Sequence, residues 1–284
     1  MNIEKSYSIA GKIIKINSEV EYKESENFKQ FLCNSVDYDV EIYLKNTKNI
    51  IQFNYKPVLD KYMMKVYKEN NKFFREMVDI RNDKPHSCFI ENSNSKKYTC
   101  YLYPDMNKDK IDTRHIFQMI GIESLLYKLD TFILHSSYIK YKDKAILFSG
   151  PSGIGKSTQA KLWEEYEYAE IVNGDKVGIN NDGSEWCAHG LPYAGSSNIY
   201  KNITLPISSI IILRQSPINK IKKLSQPEAF KLIYSETILN NWNEDYIKEV
   251  SNLVSNLVQK IPVYILSCKP DYTAVQLLKS KLGE

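Results

Sequence analysis

Residues 145–149 read Ala-Ile-Leu-Phe-Ser, an apolar run that ends at Gly150-Pro151-Ser152-Gly153-Ile154-Gly155-Lys156-Ser157, and the chain continues Thr158-Gln159-Ala160-Lys161-Leu162-Trp163. The eight central residues match G-x-x-x-x-G-K-[ST] completely, and their flanks read as a buried strand before and a helix after. Strand, glycine-rich turn and helix together make an anion site. The glycines let successive backbone N–H groups point inward as a nest, and the helix N-terminus adds partial positive charge. In such a loop Lys156 reaches the β- and γ-phosphates, the Ser157 hydroxyl ligates Mg²⁺, and Gly153 and Gly155 allow close backbone approach. Gly150, Ser152, Gly153, Ile154, Gly155, Lys156, Ser157 and Thr158 form the candidate nucleotide-binding set. ATP or another nucleoside triphosphate, with Mg²⁺, is the expected ligand. The loop also constrains the fold, because it requires a sheet strand feeding directly into a helix.

With 284 residues there is room for roughly two domains of ordinary size. Hydrophobic residues at 43% and charged residues at 25% exclude fibrous, collagen-like and wholly disordered chains. Lys+Arg is 38 against Asp+Glu 34, a net +4, too balanced for a dedicated nucleic-acid binder. Only Arg75, Arg81, Arg114 and Arg214 are arginines, so any task needing a planar bidentate guanidinium falls to one of four residues. The five cysteines are scattered, with no C-x-x-C, which argues for reduced thiols in a cytoplasmic protein. Neither a signal peptide nor a membrane-length apolar stretch is legible.

Residues 12–16, 40–44, 50–53 and 97–103 read as short strands of a small β-rich domain, in which no catalytic constellation is apparent. The turn-rich segment 104–110 marks the expected boundary, giving domains 1–111 and 112–284. The second is α/β. It has a helix over 114–129, strands at 131–135, 145–149, 169–172, 209–213 and 263–268, and helices over 227–239, 244–258 and 271–282. Asn181-Asp182-Gly183 signals a hairpin between 177–180 and 184–188.

What the chain does with a nucleotide is narrowed by elimination. No N-K-x-D guanine motif follows the loop, since Asn219-Lys220-Ile221-Lys222 lacks the acid, and there is no L-S-G-G-Q. The first aspartate after the loop is Asp175, directly behind the apolar strand 169–172. A carboxylate at the carboxyl end of a sheet strand beside a phosphate loop is suited to accept a hydroxyl proton, to ligate Mg²⁺, or both.

The loop, the near carboxylate Asp175 and the upstream His135 in Phe132-Ile-Leu-His-Ser-Ser137 together resemble the HPr kinase/phosphorylase family. The resemblance spans roughly 132–213, more weakly 263–282. It implies a PEP carboxykinase-like P-loop kinase domain with a mixed sheet behind a small β-rich (α+β) N-terminal domain. It also implies an active-site role for His135, which would bond a phosphate or orient Asp175. Related enzymes assemble, so the resemblance extends to a homo-oligomer. Two departures stand out. The family's pair of adjacent acids is reduced here to Gly174-Asp175, and its arginine-glycine segment is replaced by the glycine- and serine-rich 186–201, as in shorter HPr-kinase-like proteins that phosphorylate peptide hydroxyls.

Arg214 closes the apolar strand 210–213 and is the first candidate to face transferring phosphate oxygens. His189, Ser196, Ser197 and Lys201 are loop candidates for substrate contact or plain surface residues. The expected activity is Mg²⁺-dependent phosphoryl transfer to a hydroxyl of a peptide or small protein, catalysed by Asp175, Lys156, His135 and Arg214, with Ser157 and Asp175 as metal ligands. A small-molecule kinase acting on a free amino acid, and a nucleotide-gated binding module without transfer, are the alternatives. Neither nucleic acid nor membrane is expected as a partner.

Overall fold

The structure, a computed structural model, describes residues 3–92, 95–104, 106 and 111–283. By its contacts the chain divides into two compact units, Met1–Ser8 with Lys12–Leu125, and Ile9–Gly11 with Leu126–Glu284. The architecture is mixed α/β, and each of its two sheets combines parallel and antiparallel pairs.

The first unit is built on β1 (Ile3–Ile9), β2 (Lys12–Ser18), β3 (Leu32–Cys33), β4 (Val40–Asn46), β5 (Leu59–Lys61), β6 (Met64–Glu69), β7 (Lys72–Asp79), β8 (Lys84–Asn92) and β9 (Lys97–Leu102). These form one sheet in the order β3-β1-β2-β4-β9-β8-β7-β6-β5. A short helix α1 (Glu26–Lys29) precedes β3, and α2 (Thr113–Ile120) and α3 (Glu123–Leu126) follow β9. Strand period is plain in β2, where Ile14, Ile16 and Ser18 are buried and the residues between them are not. Residues 50–53 are not a strand. Phe53 instead stacks on Tyr67 at 3.9 Å and meets Phe74 edge-on, so the run is apolar because it caps β6 and β7 from a loop.

The helix expected over 114–129 is interrupted. Asp112 caps α2 by accepting from the His115 N–H, and Gly121 ends the helix in the left-handed region at φ 68°. Arg75 occupies the space where a Cβ on Gly121 would sit, and its guanidinium bonds Glu123 at 3.0 Å and the Ser124 hydroxyl. The α2 face carrying Ile116, Phe117 and Ile120 is buried. Phe117 stacks on Phe28 at 4.8 Å and meets Tyr7 edge-on. The units therefore divide at Leu125/Leu126 rather than at 111/112, because the amphipathic helix belongs to the first core. Most of the turn-rich segment 104–110 lies outside the described residues.

The second unit comprises β10 (Thr131–Tyr141), β11 (Lys144–Ser149), α4 (Lys156–Glu167), β12 (Glu170–Asn173), β13 (Lys176–Asn181), β14 (Trp186–Gly190), β15 (Thr204–Gln215), β16 (Lys220–Lys223), α5 (Gln226–Glu236), α6 (Glu244–Lys260), β17 (Val263–Cys268) and α7 (Tyr272–Leu282). Two long strands meet several partners along their length. One edge of β10 meets β13 up to His135↔Lys176 and β12 from Tyr138↔Asn173, while its other edge meets β11 from Ser136↔Ser149. β15 pairs antiparallel with β14 near Thr204–Pro206, then runs parallel between β11 and β17. The Asp182 carboxylate, bonded to the backbone of Ser184 and Glu185, shapes the loop between β13 and β14.

Helices cover both faces of the parallel strands. Ile210 and Ile212 pack with Ala229 and Ile233 of α5 and Val250, Val254 and Leu257 of α6. Ile211 and Leu213 pack with Ala160 and Trp163 of α4 and Ala274, Val275 and Leu278 of α7. A strand covered on both faces has no polar side to alternate with, which explains the unbroken Ile-Ile-Ile-Leu run. Each such buried side chain contributes about 1.5–3 kcal/mol.

Two outcomes are expected in the first unit. Gly121→Ala should destabilise it by about 1–3 kcal/mol in a denaturant titration, since a side chain there is strained at positive φ and displaces Arg75. Glu76 is buried and its carboxyl is pushed up to about 7 from an ordinary 4.5 by that burial, against the opposing field of Lys65. The folded state thus holds a proton that the unfolded chain has released. Its contribution to stability is full below about 4.5 and is lost as pH rises through about 7. Glu76→Gln should flatten that slope in unfolding curves taken across this window.

Candidate functional site

β11 delivers the chain into Gly150 (φ 139°), and the loop turns through Gly153 (φ 78°) and Gly155 (φ 114°) before α4 begins at Lys156. A Cβ at Gly153 or Gly155 would meet no atom within 4 Å, and both glycines line an open cavity. Gly155 caps α4 without a side-chain acceptor, leaving the helix N–H groups to solvent or ligand. The Lys156 side chain lies along the loop, and its ammonium donates to the carbonyls of Gly150 at 2.7 Å and Pro151 at 3.1 Å. Burial lowers its pKa, while the fields of Glu236 and then Asp175 oppose that shift. Ser152, Ser157 and Thr158 are exposed, and Ile154 packs against the helix-covered core.

Asp175 occupies the turn between β12 and β13. Buried Asn173 fixes that turn: its Oδ1 accepts from the N–H groups of Asp175 and Lys176, and its Nδ2 donates to the carbonyls of Leu191 and Tyr193. The Ser136 N–H and the Ser137 hydroxyl bond the carbonyls of Asp175 and Gly174, tying the turn to β10. His135 is thereby placed with Nε2 at 3.3 Å from Asp175 Oδ1, and its Nδ1 lies 3.7 Å from Glu236 Oε2. His135, Asp175 and Lys156 are thus brought together. Asn173 and Glu236 are additional members that sequence reasoning missed. Asn173 offers one signal, a strand-end Asn before Gly, but Glu236 offers none, because only the fold carries the end of α5 to this place.

The 186–201 segment is only partly a loop. His189 belongs to β14, is buried, and bonds Thr204 at 2.8 Å and Asn180 at 2.9 Å, which makes it a core residue. Lys201 pairs with Glu170 at 2.8 Å. The side chain of Ser196 lies outside the described residues. Ser197 fills the space where a Cβ on Gly174 would stand, and a Cβ on Gly195 (φ 54°) would lie 2.9 Å from Asp175 Cγ. The loop therefore interlocks with the Gly174-Asp175 turn, and glycine at 174 goes with serine at 197.

Arg214 is exposed at the carboxyl end of β15, paired in register with Ser267. It is the one arginine of the second unit; in the first, Arg75 is bonded to Glu123 and Arg81 to Asp79. The loops following β15 and β17 join the phosphate loop around a cavity of about 600 Å³, lined by Gly153, Thr158, Gln159, Gln215, Pro217 and Pro270. Its position beyond the carboxyl ends of parallel strands is where open α/β sheets hold ligands, and its volume suits a nucleoside.

No family model matches the chain, and no curated protein matches it. Among solved structures, the HPr(Ser) kinase/phosphatase from Coxiella burnetii aligns with 54% of this chain and 99% of its own, at 10% identity and a TM-score of 0.31. Among the described residues, no helix is long and apolar enough to cross a membrane.

Gly195→Ala tests the interlocked loop. The new methyl should displace Asp175, visible as a shift of its carboxyl ¹³C resonance, and destabilise the unit by about 1–3 kcal/mol. An Asp175 resonance at its original position would show that the loop yields instead.

Proposed function

We propose that the second unit is a Mg²⁺-dependent nucleoside triphosphate phosphotransferase of the HPr-kinase-like type. It moves the γ-phosphoryl group to a hydroxyl, with serine or threonine of a peptide or small protein as the favoured acceptor and the cytoplasm as its setting. The supporting observation is a convergence at one edge of the parallel strands. An open glycine cradle, a lysine already lodged in it and a carboxylate–histidine pair all meet there.

In this reading the backbone N–H groups from Gly153 to Ser157 bind the β- and γ-phosphates, and Lys156 exchanges its two loop carbonyls for phosphate oxygens. Ser157 and Asp175 are suited to hold Mg²⁺, being an exposed hydroxyl on the first turn of α4 and a half-buried carboxylate. Bound there, the ion would neutralise phosphate charge. Asp175 also orients the acceptor hydroxyl and takes its proton as the new O–P bond forms and the γ-phosphorus leaves the bridging oxygen of the departing nucleoside diphosphate, with His135 fixing the carboxylate through Oδ1. Arg214 is the guanidinium available to offset charge on the transferring group. Phosphoryl transfer is mainly positioning and charge neutralisation, so one carboxylate suffices for the base role.

Incubation with γ-labelled ATP, Mg²⁺ and peptide acceptors provides the test. Asp175→Ala should lower label transfer about 10²–10⁴-fold while nucleotide binding persists, and Lys156→Ala should abolish both. Transfer that survives both substitutions would sink the assignment.

A further inference from the structure

Glu236 is the last residue of α5, and its side chain is only 14% exposed. Two local rules disfavour it there. The carboxyl end of a helix repels negative charge, and a buried carboxylate needs compensating partners. The chain after it is fixed firmly. Thr237 bridges to Leu134, its hydroxyl bonds the Ile233 carbonyl at 2.9 Å, and the Ile238 N–H bonds the Ile133 carbonyl at 2.9 Å. Glu236 therefore stands beside β10 at the level of His135, with the backbone that follows it held in place. The compensation is in view. His135 Nδ1 lies 3.7 Å from Glu236 Oε2, and Glu236 exerts a stronger field on Lys156 than Asp175 does.

His135 consequently lies between two carboxylates, with Nε2 at 3.3 Å from Asp175 Oδ1 and Nδ1 towards Glu236. A second acid adjacent to Asp175 is excluded, since any side chain at 174 meets Ser197. We propose that Glu236 is a positioning residue for phosphoryl transfer, its charge holding the His135 ring so that Nε2 braces Asp175. This rests on the phosphotransfer reading. Local violations of this kind are expected where a site requires them.

Glu236→Gln keeps size and removes charge. Its turnover of labelled ATP, with peptide or water as acceptor, should fall about tenfold, with nucleotide affinity within about twofold of the parent. In a His135→Gln background the same change should have little further effect, because the two act in series. A reading independent of turnover comes from ¹⁵N-histidine spectra. The His135 ring resonances should move in Glu236→Gln while those of His86, His115 and His189 stay. Unchanged turnover, a loss confined to nucleotide affinity, effects that multiply with His135→Gln, or unmoved His135 resonances would each overturn the proposal. If the parent protein transfers no phosphoryl group to any acceptor, the phosphotransfer reading fails on its own. The ring resonances then still decide whether Glu236 holds His135.

Discussion

The second unit depends on the pairing of one strand along both of its edges. Every backbone N–H and C=O of a buried strand must find a mate, and β10 finds them in β13 and then β12 on one edge and, from Ser136 onward, in β11 on the other. Ser136 bonds the Asp175 carbonyl, and the Ser149 hydroxyl bonds the His135 carbonyl. The stretch around His135 and Ser136 therefore fixes three things together: the direction of the histidine, the place of the turn carrying Asp175, and the residue before Gly150. A one-residue slip in β10 would send His135 to the opposite face and break all three relations.

The central strand β15 does the corresponding work for the phosphate loop. Its apolar residues alternate between the α5/α6 and α4/α7 layers, so its position cannot shift towards either face without opening a core. Leu213 backbone atoms lie within van der Waals reach of a Cβ placed on Gly150, and the Gln215 side chain bonds the Gly153 carbonyl at 3.3 Å. The loop is thus braced from the neighbouring parallel strand as well as by its own Lys156, while the space beside Gly153 and Gly155 stays open.

Legibility in the sequence followed the physics of each feature. The loop and its flanking elements were readable because local covalent geometry dictates them: glycine at positive φ, an apolar strand before, a helix after. The Ile-Ile-Ile-Leu strand was readable from composition alone. The helical pattern over 114–129 misled because periodicity continues through Gly121, whereas Arg75, distant in sequence, makes the glycine a terminus. Strand β6, half Lys and Glu, and β7, buried along most of its length, gave no alternation strong enough to name them. Within the site, Asp175 was nameable from its place behind an apolar strand near the loop, and His135 only through the family resemblance. Their meeting depends on the register of β10, and Glu236 depends on where α5 stops. His189 falls in a stretch read as a glycine- and serine-rich loop yet is a core residue, because its two partners arrive from β13 and β15.

The lysine of the phosphate loop has a consequence for timing. A long ammonium side chain ordinarily samples many rotamers and loses that freedom when it captures an anion. Lys156 is already confined by two carbonyls of its own loop, so that loss is incurred during folding and not at each encounter. On the proposed function, arrival of a triphosphate would be an exchange of acceptors at a fixed point. Such preorganisation raises affinity without adding a contact, and it would leave the cradle ready before the nucleotide comes.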